Sequence, residues 1–213
     1  QRSAHDFPDL VKPPYAISRP SLAVLPFRFV GRNQRYAAMA DALPDELITD
    51  LAHLHWLLIT ARGSSFRLRA PNMDFAEIGR LLGVRYCLSG TIEVTNRDLL
   101  VIVELVDTSS GAVVWANRFS GRVDDVHAMR EQIRTQVLAA LEIRIPLHEA
   151  ARARRAPVEN LDAWSAYHLG LQHLYRFTRW DGAPAAALFE RAVTLDATFA
   201  RAHAGLSFVH FQA

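Results

Sequence analysis

The run at residues 84–119, VRYCLSGTIEVTNRDLLVIVELVDTSSGAVVWANRF, decides the fold. Residues 84–94, 99–106 and 113–119 are rich in Val, Ile, Leu and aromatics, as half-buried strands are. Between them lie Asn96-Arg97-Asp98 and Thr108-Ser109-Ser110-Gly111, where Asn and Gly accept the positive φ of tight reversals. The run therefore predicts a three-stranded antiparallel meander. Cys87, the sole cysteine, sits among apolar strand residues and is expected to be a buried, inert thiol.

Working outward, Val126, Met129, Ile133, Val137, Leu138 and Leu141 form a helical stripe after the meander, begun by Asp124 and Asp125 and expected to stop at Pro146. Upstream, residues 22–27 read as a strand closed by Pro26, and residues 57–61 as a second strand. Leu43, Leu47, Ile48, Leu51 and Leu54 mark a helix with Asp41 as its expected N-cap, and Phe75, Ile78, Leu81 and Leu82 a short one stopped by Gly83. A βαβα unit followed by a meander and a helix predicts an α/β domain over residues 20–145, with a mixed five-stranded sheet covered by helices. Residues 1–19, which hold Pro8, Pro13 and Pro14, read as an extended linker, and the absence of an apolar core behind Gln1 suggests a piece of a longer chain. Residues 146–160, with Arg152, Arg154 and Arg155, read as a solvated basic helical connector.

The 213 residues carry 24 Lys plus Arg against 22 Asp plus Glu. Residues 20–145 hold fourteen of each sign and residues 161–213 four of each, so the high isoelectric point reflects arginine usage and not a basic face. Direct nucleic-acid binding by these residues is not expected. No apolar run is long enough to span a bilayer, so membrane insertion is not expected either.

Residues 161–213 approximate the small-and-large pattern of a tetratricopeptide repeat: Ala166, Leu169, Gly170 and His173, then Ala185, Phe189 and Ala192, with a restart at Ala202, His203, Leu206 and His210. An all-α helical hairpin is expected, cut short within its second unit. Leu206, Phe208, Val209 and Phe211 should then lie exposed, as contacts for a peptide or a second copy.

The segments Pro20-Ser21-Leu22-Ala23-Val24-Leu25-Pro26-Phe27, Ile59-Thr60-Ala61-Arg62-Gly63-Ser64-Ser65-Phe66, Leu82-Gly83-Val84-Arg85-Tyr86, Leu105-Val106-Asp107 and the stretch from Gly111 to Trp115 together resemble the TolB-like amino-terminal domain of bacterial signalling proteins. That resemblance covers about residues 20–143. It implies a module joined to tetratricopeptide repeats, following either a CadC-type winged-helix DNA-binding domain or a class III adenylate cyclase domain. The function implied is a non-enzymatic regulatory or protein-interaction region, cytoplasmic unless a transmembrane segment precedes Gln1, when it would be periplasmic.

Candidate sites are few. Arg62, Ser64, Ser65, Arg67 and Arg69 surround Gly63, and guanidinium and hydroxyl groups so grouped suit an anion or an acidic partner, although a structural turn burying Phe66 explains the same residues. The P-loop spacing and its lysine are absent. The histidine pairs His53/His55, His168/His173 and His203/His210 have spacings that diverge on a helix, so no metal is expected. Trp164, Tyr167, Leu171 and Leu174 fit a peptide groove or, by their helical spacing, internal packing. No nucleophile stands beside a base, so no catalytic residue and no cofactor is assigned.

Overall fold

The computed structural model describes residues 19–68, 74–155, 157, 161–176 and 181–212. The first eighteen residues of the expected linker, Arg69, and residues 156 and 158–160 of the connector lie outside them. The sheet has six strands: β1 (Ser21–Val24), β2 (Arg28–Gly31), β3 (Leu58–Ile59), β4 (Tyr86–Thr95), β5 (Asp98–Asp107) and β6 (Val113–Arg122). Their order is β3-β1-β4-β5-β6. Strands β1 and β2 lie parallel along successive stretches of the same edge of β4.

The expected five strands become six because a further short strand, β2, follows the first apolar run beyond Pro26 and Phe27. Pro26 has no N–H for the ladder, and the chain leaves β4 there while Phe27 crosses it. Gly90 on β4 permits the crossing, since a Cβ there would stand 2.8 Å from the Phe27 ring and 2.7 Å from the Ile102 carbonyl. The meander forms as expected, with Asn96 at φ 57° in the two-residue reversal between β4 and β5, and Gly111 at φ 68° in the next.

Three helices lie between β2 and β4 in the chain: α1 (Met39–Leu51), α2 (Arg62–Ser65) and α3 (Phe75–Leu82). Asp41 is not the N-cap of α1 but belongs to its first turn, because the helix begins two residues earlier, behind a 3₁₀ turn capped by Asn33. Helix α3 is bounded by Asp74, which accepts from the Ala76 amide, and by Gly83 in the left-handed conformation. Cys87 is fully buried, and burial alone pushes its thiol up to about 12.

The largest departure from expectation is α4 (Val126–Ala153), 28 residues that run through Pro146 without a break. Its buried positions Met129, Ile133, Val137, Leu141, Ile145, Glu149 and Ala153 recur every four residues. At 3.6 residues per turn a four-residue spacing precesses around the helix, so the stripe starts against the sheet and ends on the helices that follow. The expected solvated connector is thus partly interior: Glu149, Ala150 and Ala153 are buried. That packing outweighs the missing hydrogen bond at Pro146.

Helices α5 (Ala163–Leu174), α6 (Gly182–Leu195) and α7 (Ala200–Gln212) complete the chain around a second core. Phe189 of α6 is its pivot. A Cβ at Gly170 of α5 would come within 2.8 Å of the Phe189 ring, and one at Gly205 of α7 within 2.9 Å, so the two glycines hold the ring between neighbouring helices. Small side chains at Ala166, Ala185, Ala192 and Ala202, all fully buried, allow the close approach.

Replacing Pro146 by Ala restores one backbone hydrogen bond in a helix that its packing already holds continuous. The P146A chain is expected to gain about 1–3 kcal/mol in urea unfolding. A loss of stability would mean that the ring's own contacts matter more than the bond it forfeits.

Candidate functional site

The residues singled out around Gly63 do not converge. Arg62 opens α2, pairs with Asp45 at 3.0 Å and lies over the Phe66 ring at 4.4 Å. Ser64 and Arg67 face solvent, whereas Ser65 is fully buried and its Oγ has no hydrogen-bond partner among the described residues. Phe66 is half-buried. On α7, Phe208 and Phe211 are exposed, the latter at 88%, and Leu206 is half-buried. Val209, expected to be exposed with them, is buried: it shares a face with Ala202 and Gly205. Two of these histidines find separate partners, His173 with Asp181 at 2.8 Å and His203 with the Ala197 carbonyl at 2.9 Å. Among the described residues no three metal-ligating side chains come together.

What the fold does assemble is a junction between the sheet and the last three helices. Glu149, fully buried, occupies the next four-residue step of the α4 stripe after Ile145. Its carboxylate accepts from Arg85 Nη1 at 2.6 Å and from the Tyr86 hydroxyl at 2.5 Å, with Arg152 at 3.6 Å and Ser165 Oγ at 3.5 Å. Arg85 also reaches Asp162 at 3.3 Å, and Asp162 caps α5 by accepting from the Ser165 amide. One guanidinium, at the start of β4, thereby ties the end of α4 to the beginning of α5. Burial alone would lower the Arg85 pKa, but the Glu149 and Asp162 charges outweigh it and raise it. Tyr86 is raised as well, by burial first and then by the Glu149 charge, and stays a hydroxyl donor.

The network continues to His148, whose Nδ1 lies 2.9 Å from the Tyr86 hydroxyl and whose Nε2 lies 3.8 Å from Asp107. Burial pushes Asp107 up, yet hydrogen bonds from the Ser109 hydroxyl and amide more than offset it and hold the carboxyl below its ordinary value.

Beside this polar core lies an aromatic one. Trp164, only 1% exposed, is stacked between Trp56 at 5.4 Å and Phe199 at 5.9 Å, with interplanar angles of 14° and 12°. Trp56 comes from the α1–β3 connection and Phe199 from the turn before α7, so the stack joins three parts of the chain. Trp164 and Tyr167 are therefore internal, while Leu171 and Leu174 are half-buried against the second core.

Residues 18–137 match the family described as the HilA/YgeH-like transcriptional regulator, second domain. The chain belongs to this family. The HilA/YgeH-like match covers the sheet and the first part of α4. Among relatives, "Putative adenylate cyclase 3" of Rhizobium meliloti (strain 1021) is 27% identical over 197 residues, which is 92% of this chain. The chain spans about a third of that relative's length, 34%. Similar solved structures include lipoprotein GNA1162 from Neisseria meningitidis, 10% identical, covering 55% of this chain and 97% of that one at a TM-score of 0.41. TolB from Acinetobacter baumannii is 16% identical and covers 58% of this chain and 28% of that one at 0.39.

Sequence reasoning missed Glu149, Arg85 and Trp56. The available signal was the four-residue stripe itself, which places an acid at a core step and so demands a cationic partner.

Two measurements check the junction. Arg85→Met strips Glu149 of its main partner while leaving it buried, and is expected to cost about 3–5 kcal/mol in denaturant unfolding. The double variant R85M/E149M removes both charges and should recover much of that loss; no recovery would mean that the two do not act as a pair. His168, brought down to about 4 by burial and then by Arg201, holds its proton less tightly folded than unfolded. Its contribution to stability is whole above the unfolded value near pH 6.5 and is lost as pH falls from there to about 4. His168→Phe should flatten that decline in urea titrations across the range, and an unchanged slope would place the titration elsewhere.

Proposed function

We propose that this chain is a non-enzymatic regulatory and protein-contact region of a bacterial signal-transduction protein, and that its effector is a winged-helix DNA-binding domain. The observation that carries the reading is the single helix α4. Its first turns pack on the sheet and its last on α5, and the Arg85–Glu149–Asp162 pairing joins the same two bodies. A region built so transmits a change in one body to the other. Membership in the HilA/YgeH-like regulator family supports a transcriptional setting.

A second reading is the regulatory region of a class III adenylate cyclase. It is favoured by the Rhizobium meliloti relative, whose likeness extends over 92% of this chain and therefore into the helices beyond residue 137. In either case α5, α6 and α7 act as tetratricopeptide-like units that contact protein partners or a second copy through Phe208 and Phe211. No described helix is long and apolar enough to cross a membrane. We place the region in the cytoplasm, or in the periplasm if a transmembrane segment precedes Gln1.

Assays of the whole protein separate the two readings: retention of its own promoter DNA supports the first, and cyclic AMP formed from ATP and magnesium supports the second. The 213-residue chain alone is expected to give neither cyclic AMP nor saturable DNA binding tighter than about 10⁻⁶ M. Either activity in the chain alone would overturn the non-enzymatic, protein-contact reading. In sedimentation the chain should self-associate weakly, and Phe211→Ser should abolish this; a strictly monomeric parent would remove α7 as the contact.

A further inference from the structure

Four arginines from four separate segments line one open depression of about 450 Å³: Arg19 ahead of β1, Arg80 of α3, Arg85 at the foot of β4 and Arg152 of α4. No acid among the described residues lines it. The two signs are equal in number across residues 20–145, so this gathering is a local segregation of charge and not a basic composition. Gly79 helps to build it. A Cβ there would stand 2.5 Å from the Thr108 Oγ1, so only glycine lets α3 lie against the β5–β6 turn and carry Arg80 to the rim.

The cations are open and their counter-charges are not. Arg85 and Arg152 are 28% and 41% exposed, whereas Glu149, which both face, is 0% exposed. Asp107, the other acid close to Arg152, is 3% exposed. Asp162 is spent on Arg85 and on the Ser165 amide. Arg80 is exposed and makes no ion pair among the described residues; Arg19 gives one nitrogen to the His55 carbonyl and pairs with no described acid. A cation in the last turn of α3 complements the helix dipole, which accounts for Arg80 but not for the other three. The neighbouring hydroxyls are committed, Thr108 to the Val84 and Arg85 carbonyls and Ser109 to Asp107. A solute entering the depression therefore meets guanidinium donors, two of them without a counter-charge.

The complementary group carries two negative charges and several acceptor oxygens. A phosphate monoester is close to that at neutral pH, whereas a carboxylate has one charge. Guanidinium forks match phosphate oxygens in pairs. We propose that this depression binds a small organic phosphate monoester, its dianionic head held by Arg19, Arg80 and Arg152, with Arg85 behind them. The proposal does not depend on which effector precedes the chain, and its failure leaves that reading untouched. Because Arg85 and Arg152 also hold Glu149, an occupant binds the docked arrangement of the junction and stabilises it by mass action.

The test uses the 213-residue chain, with phenyl phosphate as probe and phenyl sulfate as its singly charged counterpart. In calorimetry at neutral pH and low salt, phenyl phosphate should bind saturably, raise the melting temperature and weaken as salt is added. Phenyl sulfate should bind at least ten-fold more weakly. Arg80→Gln should weaken phenyl phosphate about ten-fold, the loss of one charge-assisted hydrogen bond, and leave the urea midpoint unchanged. R19Q/R80Q should abolish saturation, while Arg118→Gln, exposed on β6 outside the depression, should bind as the parent does. The proposal is overturned if phenyl phosphate shows no saturable binding at millimolar concentration, or if phenyl sulfate binds equally well. It is equally overturned if R80Q and R19Q both bind as the parent does, or if R118Q weakens binding as much as R80Q, since the attraction would then be to surface charge at large.

Discussion

A fully buried carboxylate sets the terms for the rest of this molecule. Glu149 could not be interior without a cation close by, because the cost of taking its charge from water is several kcal/mol even after relaxation. Arg85 is that cation, and its position at the foot of β4 fixes where the end of α4 must lie. Asp162 then takes the second nitrogen of the same guanidinium and brings the start of α5 to the same place. Three segments distant in sequence are located by one planar fork of donors, which holds its partners in a geometry that an apolar contact would leave free.

The helix that carries Glu149 explains how the charge reaches that position. A four-residue hydrophobic spacing is out of step with the helix, so the stripe on α4 turns as it ascends. Met129 to Ile145 fill the first core, and Ala153 belongs to the second. Ion pairs on the α1 side, Arg134 with Asp50 at 2.6 Å and Arg130 with Glu46, hold the lower half in register. Proline costs this helix one hydrogen bond at a place where the neighbouring Glu142, Ile143 and Arg144 are exposed and water can satisfy the freed carbonyl.

Much of the architecture was legible because local chemistry and tertiary demand agree there. The hairpins are marked by residues that tolerate positive φ, and α3 by an Asp before it and a Gly after it. Where the two disagree, the sequence misleads. Pro146 reads as a stop because the burial of Ala150 and Ala153 beyond it depends on α5, which periodicity within one helix cannot reveal. Strand β2 was hidden by its four-residue length and by the proline before it. The candidate site was less legible still: Arg62 and Ser65 were grouped with Ser64, Arg67 and Arg69 by proximity in sequence, yet Arg62 is engaged with Asp45 and Ser65 is turned inward. Val209 was assigned to the open face because a helix left without its repeat neighbour was expected to expose its large residues, whereas Ala202, Gly205 and Val209 form the face that packs.

The aromatic stack and the polar network are two different kinds of adhesive, and their combination bears on regulation. Trp56, Trp164 and Phe199 gain from apolar contact in almost any near-parallel arrangement, so they favour docking without specifying it narrowly. The Glu149 network is satisfied in one geometry and costly in others, so it specifies the docked pose. A pose held by both is not uniformly rigid, because the stack can slide where the network cannot. A displacement of α5 is therefore opposed first at Arg85, whose guanidinium holds Glu149 on α4 and Asp162 at the α5 cap at the same time. Arg85 is thus a donor shared by the sheet edge, the end of α4 and the cap of α5, and it holds all three in a single pose.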